Sequence, residues 1–311
     1  MDASATEPSL IEHVLGWDIF AGLLVFPLAA LLVRLWQTRG HVCQTKGAHL
    51  SLFDRVMPSR GATRSVISNI ALTAINAFGW GMVFFVYSVM FDGFWTETVG
   101  LERIAMLEGL WLPVQIFAVV AILDLSNYWS HRLLHRPWMW GVHQLHHSDQ
   151  HMNYSTSNRI HFIEGLQMNL VGLVTIGWFT LPAEALVIGV AMRGWYGMYV
   201  HSNLPFDHGP LRRVLVSPNY HAWHHCDDPA VYGRNLADVF PVWDIIFGTH
   251  HDPGRCDVPL GVSDAPDDII AGQIYPLRYW WGLWRGRARR SDALSSHQSV
   301  AHECIQSDQP A

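Results

Sequence analysis

Charge is scarce in this chain. Of its 311 residues only 15% are Asp, Glu, Lys or Arg, while 50% are hydrophobic, and the formal net charge is −6 with histidines neutral. With 20 basic against 26 acidic side chains, a nucleic-acid partner is not expected. Long uncharged runs point to one integral membrane domain rather than to one or two soluble ones. Cysteine is equally sparse. Cys43, Cys226, Cys256 and Cys304 show no paired spacing, which indicates neither a disulfide framework nor a C-x-x-C zinc knuckle. The glycine fingerprint of a dinucleotide site, the C-x-x-C-H of a covalent haem and the cysteine run of an iron–sulfur cluster are all missing, so any electrons must come from a partner. The first residues, M-D-A-S-A-T-E-P-S, are acidic and lack the basic start of a signal peptide, so the first apolar run is expected to remain as an anchor.

Histidine is what the chain has in excess. Fourteen of its 19 histidines fall between His131 and His251. His131 and His135 are four apart and share one helix face with Asp124 and Tyr128. His143, His146 and His147 stand at i, i+3 and i+4, a spacing that lets all three imidazoles converge on one point. His221, His224 and His225 repeat it about eighty residues later. Neutral imidazole binds iron, zinc, copper and nickel. Eight histidines in three clusters exceed what one tetrahedral zinc uses, and two metal ions fit the count better. Cys226, directly after His225, is read as a neighbour pointing elsewhere.

The words H-R-L-L-H, H-Q-L-H-H and H-A-W-H-H resemble the three histidine boxes of the fatty acid hydroxylase and sterol desaturase superfamily of membrane di-iron oxygenases. The flanking words are similar too: D-x-x-x-Y-x-x-H, H-H-S-D, S-P-N-Y-H and W-D-I-I-F-G-T. The resemblance covers roughly 124–250 and implies two irons, O₂ and two electrons from an external reductase. On it, His131, His135, His143, His146, His147, His221, His224 and His225 are metal ligands. His201, in H-S-N, resembles the intervening histidine that completes coordination, and His161, in S-N-R-I-H-F-I-E, resembles a histidine that follows the second box. Asp124 and Asp244 are placed to accept the far N–H of a ligating imidazole. His151, His208, His250 and His251 are read as loop residues or as residues behind the ligands rather than as ligands.

Along the chain, Ile19 to Trp36 and Ile70 to Phe91 are the first two candidate spans. Gly109 to Leu123 runs without a charge into Asp124 and the first box, and Gly165 to Val200 reads as a hairpin with Arg193 inside it. Arginine in an apolar run needs a partner. The basic stretch between the first two spans is expected in the cytoplasm, which puts the acidic 92–103 loop outside and every box inside. The basic end, Arg278 through Arg290 with Trp280, Trp281 and Trp284, is expected at the cytoplasmic membrane interface. The fold expected is therefore an all-α integral membrane protein of about four membrane-embedded helices or hairpins with a cytoplasmic histidine-rich helical cap. Residues 1–290 form one hydroxylase-like domain with its core at 124–251, and 291–311 form a disordered polar tail.

The function expected is hydroxylation of a lipid: an acyl chain, a sterol or carotenoid, or an amino-acid-containing lipid such as an ornithine lipid. The alternative is desaturation on the same site. Three residues inside the first box argue only against the acyl-CoA desaturases, which resemblance gives four. A metal transporter would put histidines inside the apolar runs, and the first two candidate spans hold none. A lipid tail is expected to approach past Gly197, one turn before His201.

Overall fold

A computed structural model of the chain describes residues 60–87, 98, 100, 102–202, 204, 206–262, 266 and 268–285. The run Ile19 to Trp36, the polar tail and most of the 92–103 loop lie outside the described residues. Eight α-helices lie among those described: α1 (Arg60–Tyr87), α2 (Leu112–Leu134), α3 (Trp140–His143), α4 (Phe162–Ile176), α5 (Ala183–Val200), α6 (Pro218–His225), α7 (Val242–Phe247) and α8 (Ile269–Trp284). They contain no strand, and the extended backbone is limited to two isolated bridges, Ile104 with Phe179 and Cys226 with Leu260.

α2 organises the rest. Proline in its first turn is tolerated because those N–H groups have no helical acceptor, and the Leu, Val, Ile and Ala that follow favour the helix. It continues through Asp124 to the first histidine box, so a single rod carries both the apolar run and the metal face. Among the described residues it is the one helix long and apolar enough to cross a membrane; α4, at 15 residues, is apolar but shorter. α4 and α5 both pack along α2. A Cβ at Gly189 of α5 would lie 2.6 Å from Val119, so the absence of a side chain there permits the close approach of α5 to α2. Val119, Ile176 and Ala185 form the apolar core at this end.

The stretch expected as a hairpin forms two helices, and α4 ends at Ile176, before the break at Pro182. The chain leaves it at Gly177, and Trp178 and Thr180 exchange backbone hydrogen bonds with Ile104 (2.7 and 3.1 Å). Arg193 has its partner. Its Nη2 lies 3.1 Å from Asp238 Oδ2, which also accepts from Asn127 of α2.

The second core lies around the boxes, where Tyr128, Val200, Val216, Tyr220, Leu236 and Ala237 pack together. Asp124 ties this region to α2 by accepting from the backbone N–H of Val239 and Phe240 and from Trp243 Nε1 at 2.9–3.0 Å. α1 contributes a polar face. Asn69 is fully buried and hydrogen-bonds Ser65, Asp149 and Ser155. Asp149 also accepts from Ser65 and Thr156. The Arg159 side chain is buried beside them, with Nε donating to Leu145 O and Ser148 Oγ. This polar network clamps the turn that carries His146 and His147.

Candidate metal centre

The histidines of the boxes do not converge on one point. They divide into two groups, His131, His135, His143, His147 and His224 in one, and His146, His201, His221 and His225 in the other, all buried except the half-buried His135; within each, the ligand atoms lie within 4.8 Å of one another. The division crosses the sequence. In H-Q-L-H-H the first and last histidines enter the five-membered group and His146 enters the other. In H-A-W-H-H the first and last enter the four-membered group and His224 crosses back. Helical geometry gives the reason: at ~100° per residue, positions i and i+4 are about 40° apart, whereas i+3 and i+4 diverge by about 100°. α6 follows this rule directly. The second box follows it across a break, since α3 ends at His143 and His146–Ser148 form a 3-10 turn.

Backbone carbonyls fix which nitrogen of several rings faces inward. His131 Nδ1 donates to Leu236 O at 2.8 Å, His224 Nδ1 to Arg234 O at 2.8 Å, and His201 Nδ1 to Gly197 O at 2.6 Å. A carbonyl can only accept, so these rings carry their proton on Nδ1 and turn a bare Nε2 to the centre. His143 Nδ1 is likewise engaged by Glu164 Oε1 at 2.8 Å, with both side chains 1% exposed. The inward nitrogens then lie 3.0–3.2 Å apart, His131 against His143 and His201 against His146, His221 and His225. The Nε2 atoms of His135 and His224 are buried without a hydrogen-bond partner. Where two bare nitrogens face each other, as at His131 and His143, the lone pairs repel, and a cation at the centre of the group removes that repulsion. Burial, and then repulsion from neighbouring imidazoles, holds His135, His143, His146, His147, His221, His224 and His225 below the usual histidine range, which keeps them in the neutral, ligating form.

Three assignments from sequence are corrected. His161 belongs to neither group, because both ring nitrogens are taken. It caps α4, with Nδ1 accepting from Ile163 N–H (3.1 Å) and Nε2 donating to Gln273 O (2.9 Å). His161→Ala is therefore expected to keep the metal content and to lower stability by about 1 kcal/mol, the usual cost of a lost N-cap; metal analysis beside thermal unfolding measures both. Asp124 and Asp244 accept no imidazole N–H. Asp124 holds the 239–243 segment, as described above. Asp244 accepts from Leu236 N, Ala237 N, Thr249 Oγ1 and Tyr220 OH at 2.7–3.1 Å. It acts at one remove, since it fixes the peptide whose Leu236 carbonyl orients His131. Asn235 stands between the two orienting carbonyls in the left-handed region, φ 56°, and its side chain bonds the backbone of Tyr220 and His251.

The carboxylate that does meet an imidazole, Glu164, was missed. Its signal was an acid at the mouth of an apolar run, within the same word as His161. His151, His208, His250 and His251 are in neither group; His208 bonds Tyr199 OH and His250 bonds Tyr220 OH. Cys226 Sγ turns back to Trp223 O.

Gly197 also reads differently in three dimensions. It is buried, a Cβ there would lie 3.2 Å from Ser157 Oγ, and its carbonyl anchors His201. An indole at this position displaces Ser157 and the His201 anchor together. Gly197→Trp is thus expected to lose bound metal along with turnover, rather than turnover alone, when both are measured on the purified protein.

A helical set of described residues that gathers nine histidines into two adjoining groups has the architecture of a histidine-box metalloprotein. Residues 116–249 match the fatty acid hydroxylase family, and this segment belongs to the fatty acid hydroxylase and sterol desaturase superfamily. Over 145 residues the chain is 29% identical to an ornithine lipid hydroxylase of Rhizobium tropici, covering 46% of this chain and 44% of that one. It is 30% identical over 158 residues to the alkylglycerol monooxygenase of Danio rerio (50% and 32%) and 28% identical over 164 residues to methylsterol monooxygenase 1-1 of Arabidopsis thaliana (48% and 53%). The matches thus span about half or less of these relatives' length. No solved structure matches.

Proposed function

We propose that the protein is a membrane-bound di-iron oxygenase that hydroxylates a lipid, with O₂ as oxidant and electrons from an external donor protein. The observation that carries this reading is the pair of histidine groups whose ligand atoms converge within 4.8 Å, with His131 and His224 in one and His201 in the other turning a bare Nε2 inward. His131, His135, His143, His147 and His224 would hold one ion, and His146, His201, His221 and His225 the other. Imidazole suits several metals, and the choice of iron rests on the superfamily and on the hydroxylases and monooxygenases among the relatives. Iron bound there supplies activation of O₂, the oxidant that an unactivated lipid C–H bond requires.

The chain's own residues prepare the site. The carbonyls of Arg234, Leu236 and Gly197 and the carboxylate of Glu164 hold imidazoles in the ligating tautomer. The helices around them exclude water. α2 brings an apolar surface to within one or two turns of His131, so a lipid can present a carbon without leaving the bilayer fully. The substrates named for the relatives, an ornithine lipid, an alkylglycerol and a methylsterol, share a long apolar body beside a polar group, and this class is proposed here. Desaturation is the second reading, since removal of a second hydrogen leaves the ligands unchanged. On the positive-inside rule, the boxes are proposed to face the cytoplasm.

Two measurements test the proposal. The purified protein should hold about two irons per chain. Lipid profiles of cells with and without the gene should differ by species that gain one oxygen atom. A loss of two hydrogens in place of that gain supports the desaturase reading, and a metal-loaded protein that changes no lipid refutes both.

A further inference from the structure

α8 presents an apolar face that nothing described in the chain covers. Ile270, Ile274, Leu277, Trp281 and Trp284 are 70%, 44%, 65%, 53% and 76% exposed. At ~100° per residue these five positions fall within an arc of about 80°, a continuous stripe along the helix. Other positions around the helix are committed to the protein. A Cβ at Gly141 would lie 2.5 Å from the Tyr279 ring, and one at Gly272 would lie 2.6 Å from Leu145. Tyr279 OH donates to Pro137 O and Trp280 Nε1 to Trp138 O, while Gln273 receives the His161 ring and Phe162 N–H. Trp280, grouped by sequence with the interfacial tryptophans, thus faces inward, and Trp281 and Trp284 face out.

Charge selects the occupant. Arg278 and Arg285 are exposed and seven residues apart, so both flank the same edge of the stripe, and the Arg285 guanidinium lies 4.3 Å from the centre of the Trp281 ring. Arg287, Arg289 and Arg290 follow in sequence. Apolar residues and tryptophan on one face with arginine along its border is the pattern of a helix lying in the plane of a membrane, where arginine reaches lipid phosphate. We propose that α8 lies in the surface of an anionic bilayer through Ile270, Ile274, Leu277, Trp281 and Trp284, and so fixes the second histidine box, against which its inner face is packed, at the level of the membrane surface. The proposal rests on the reading of the chain as a membrane protein.

The test uses the full chain in vesicles of phosphatidylcholine and phosphatidylglycerol, with Cys43, Cys226, Cys256 and Cys304 replaced by serine. A nitroxide is attached in turn to Leu277→Cys, to Phe117→Cys on the exposed face of α2, and to Arg255→Cys as a water-facing reference. Collision with O₂, which concentrates in lipid, is compared with collision with a water-soluble nickel chelate. Labels at 277 and 117 should favour O₂ several-fold over the label at 255. In the Leu277→Cys chain, Arg278→Glu with Arg285→Glu should shift the label toward the nickel chelate. If 117 reads as lipid while 277 reads as water, or as shielded from both reagents, the α8 proposal is wrong and the membrane reading stands. If 117 also reads as water, both fall. Should the serine chain not fold, brominated lipid and the native cysteines serve instead. The quenchable tryptophan emission should then drop in Trp281→Phe with Trp284→Phe but not in Trp280→Phe, and the reverse order overturns the proposal.

Discussion

His146→Ala should remove the ion held by the four-histidine group and leave the five-histidine group loaded, and His224→Ala should do the opposite. Each substitution deletes the crossing member of its box, the residue at i+3 that leaves its two neighbours and joins the other group. Iron should fall from about two per chain to about one in both variants, and activity should drop by more than ~10²-fold, because positioning and charge stabilisation at the reacting atoms fail together. The apolar helices are untouched, so the protein should stay in the membrane. His297→Ala, outside the described residues, should be silent. The measurement is metal content beside turnover, with a spectroscopic signature to tell which ion is left. Two variants with the same remaining ion, or either with full activity, would sink the division into two sites.

Glu164→Leu is expected to have the second-largest effect. The glutamate stands in the first turn of α4, where a carboxylate is favoured by the helix dipole, and reaches His143 at 2.8 Å in a fully buried contact. Leucine fills a similar volume and leaves the Nδ1 proton of His143 without an acceptor. The imidazole then loses both its orientation and part of its basicity, so affinity for the ion of the five-histidine group should weaken about 10- to 100-fold. Glutamine keeps an oxygen near Oε1 and should recover most of this. Competition against a graded chelator reads the effect without reference to turnover. Equal metal affinity in Glu164→Leu would mean that His143 is oriented by packing alone.

Periodicity and spacing made α2 and most of the histidine cluster legible from the sequence. Asp124, Tyr128 and His131 were read as one face of one helix, and all three are buried on α2. That reading works because i, i+4 and i+7 coincide on any α-helix, whatever packs against it. The end of α4 at Ile176 was not legible for the converse reason: the uncharged stretch runs on to Pro182 and does not record where the backbone will find a better partner, here Ile104. Asp124 and Asp244 were assigned to imidazoles because carboxylates often serve there, yet both fold back onto backbone N–H groups of the loop between α6 and α7.

The sequence by itself determined that imidazoles would collect at the end of an apolar helix, since box spacing and hydropathy are local properties that survive in any helical fold. It also supplied the i+3 histidines whose divergence from i+4 splits each box. Which box gives its odd member to which group was decided only by the tertiary structure, because His146 and His224 cross between elements that meet solely through packing. The orienting carbonyls of Arg234, Leu236 and Gly197 were likewise beyond the sequence. Every residue carries a carbonyl, and only the folded backbone aims a particular one at a ring. The same holds for the border of α8, where Trp280 and Trp281 are identical side chains one residue apart. Helical rotation of about 100° turns one toward Trp138 and the other outward, and only the contacts of α8 with α3 say which is which.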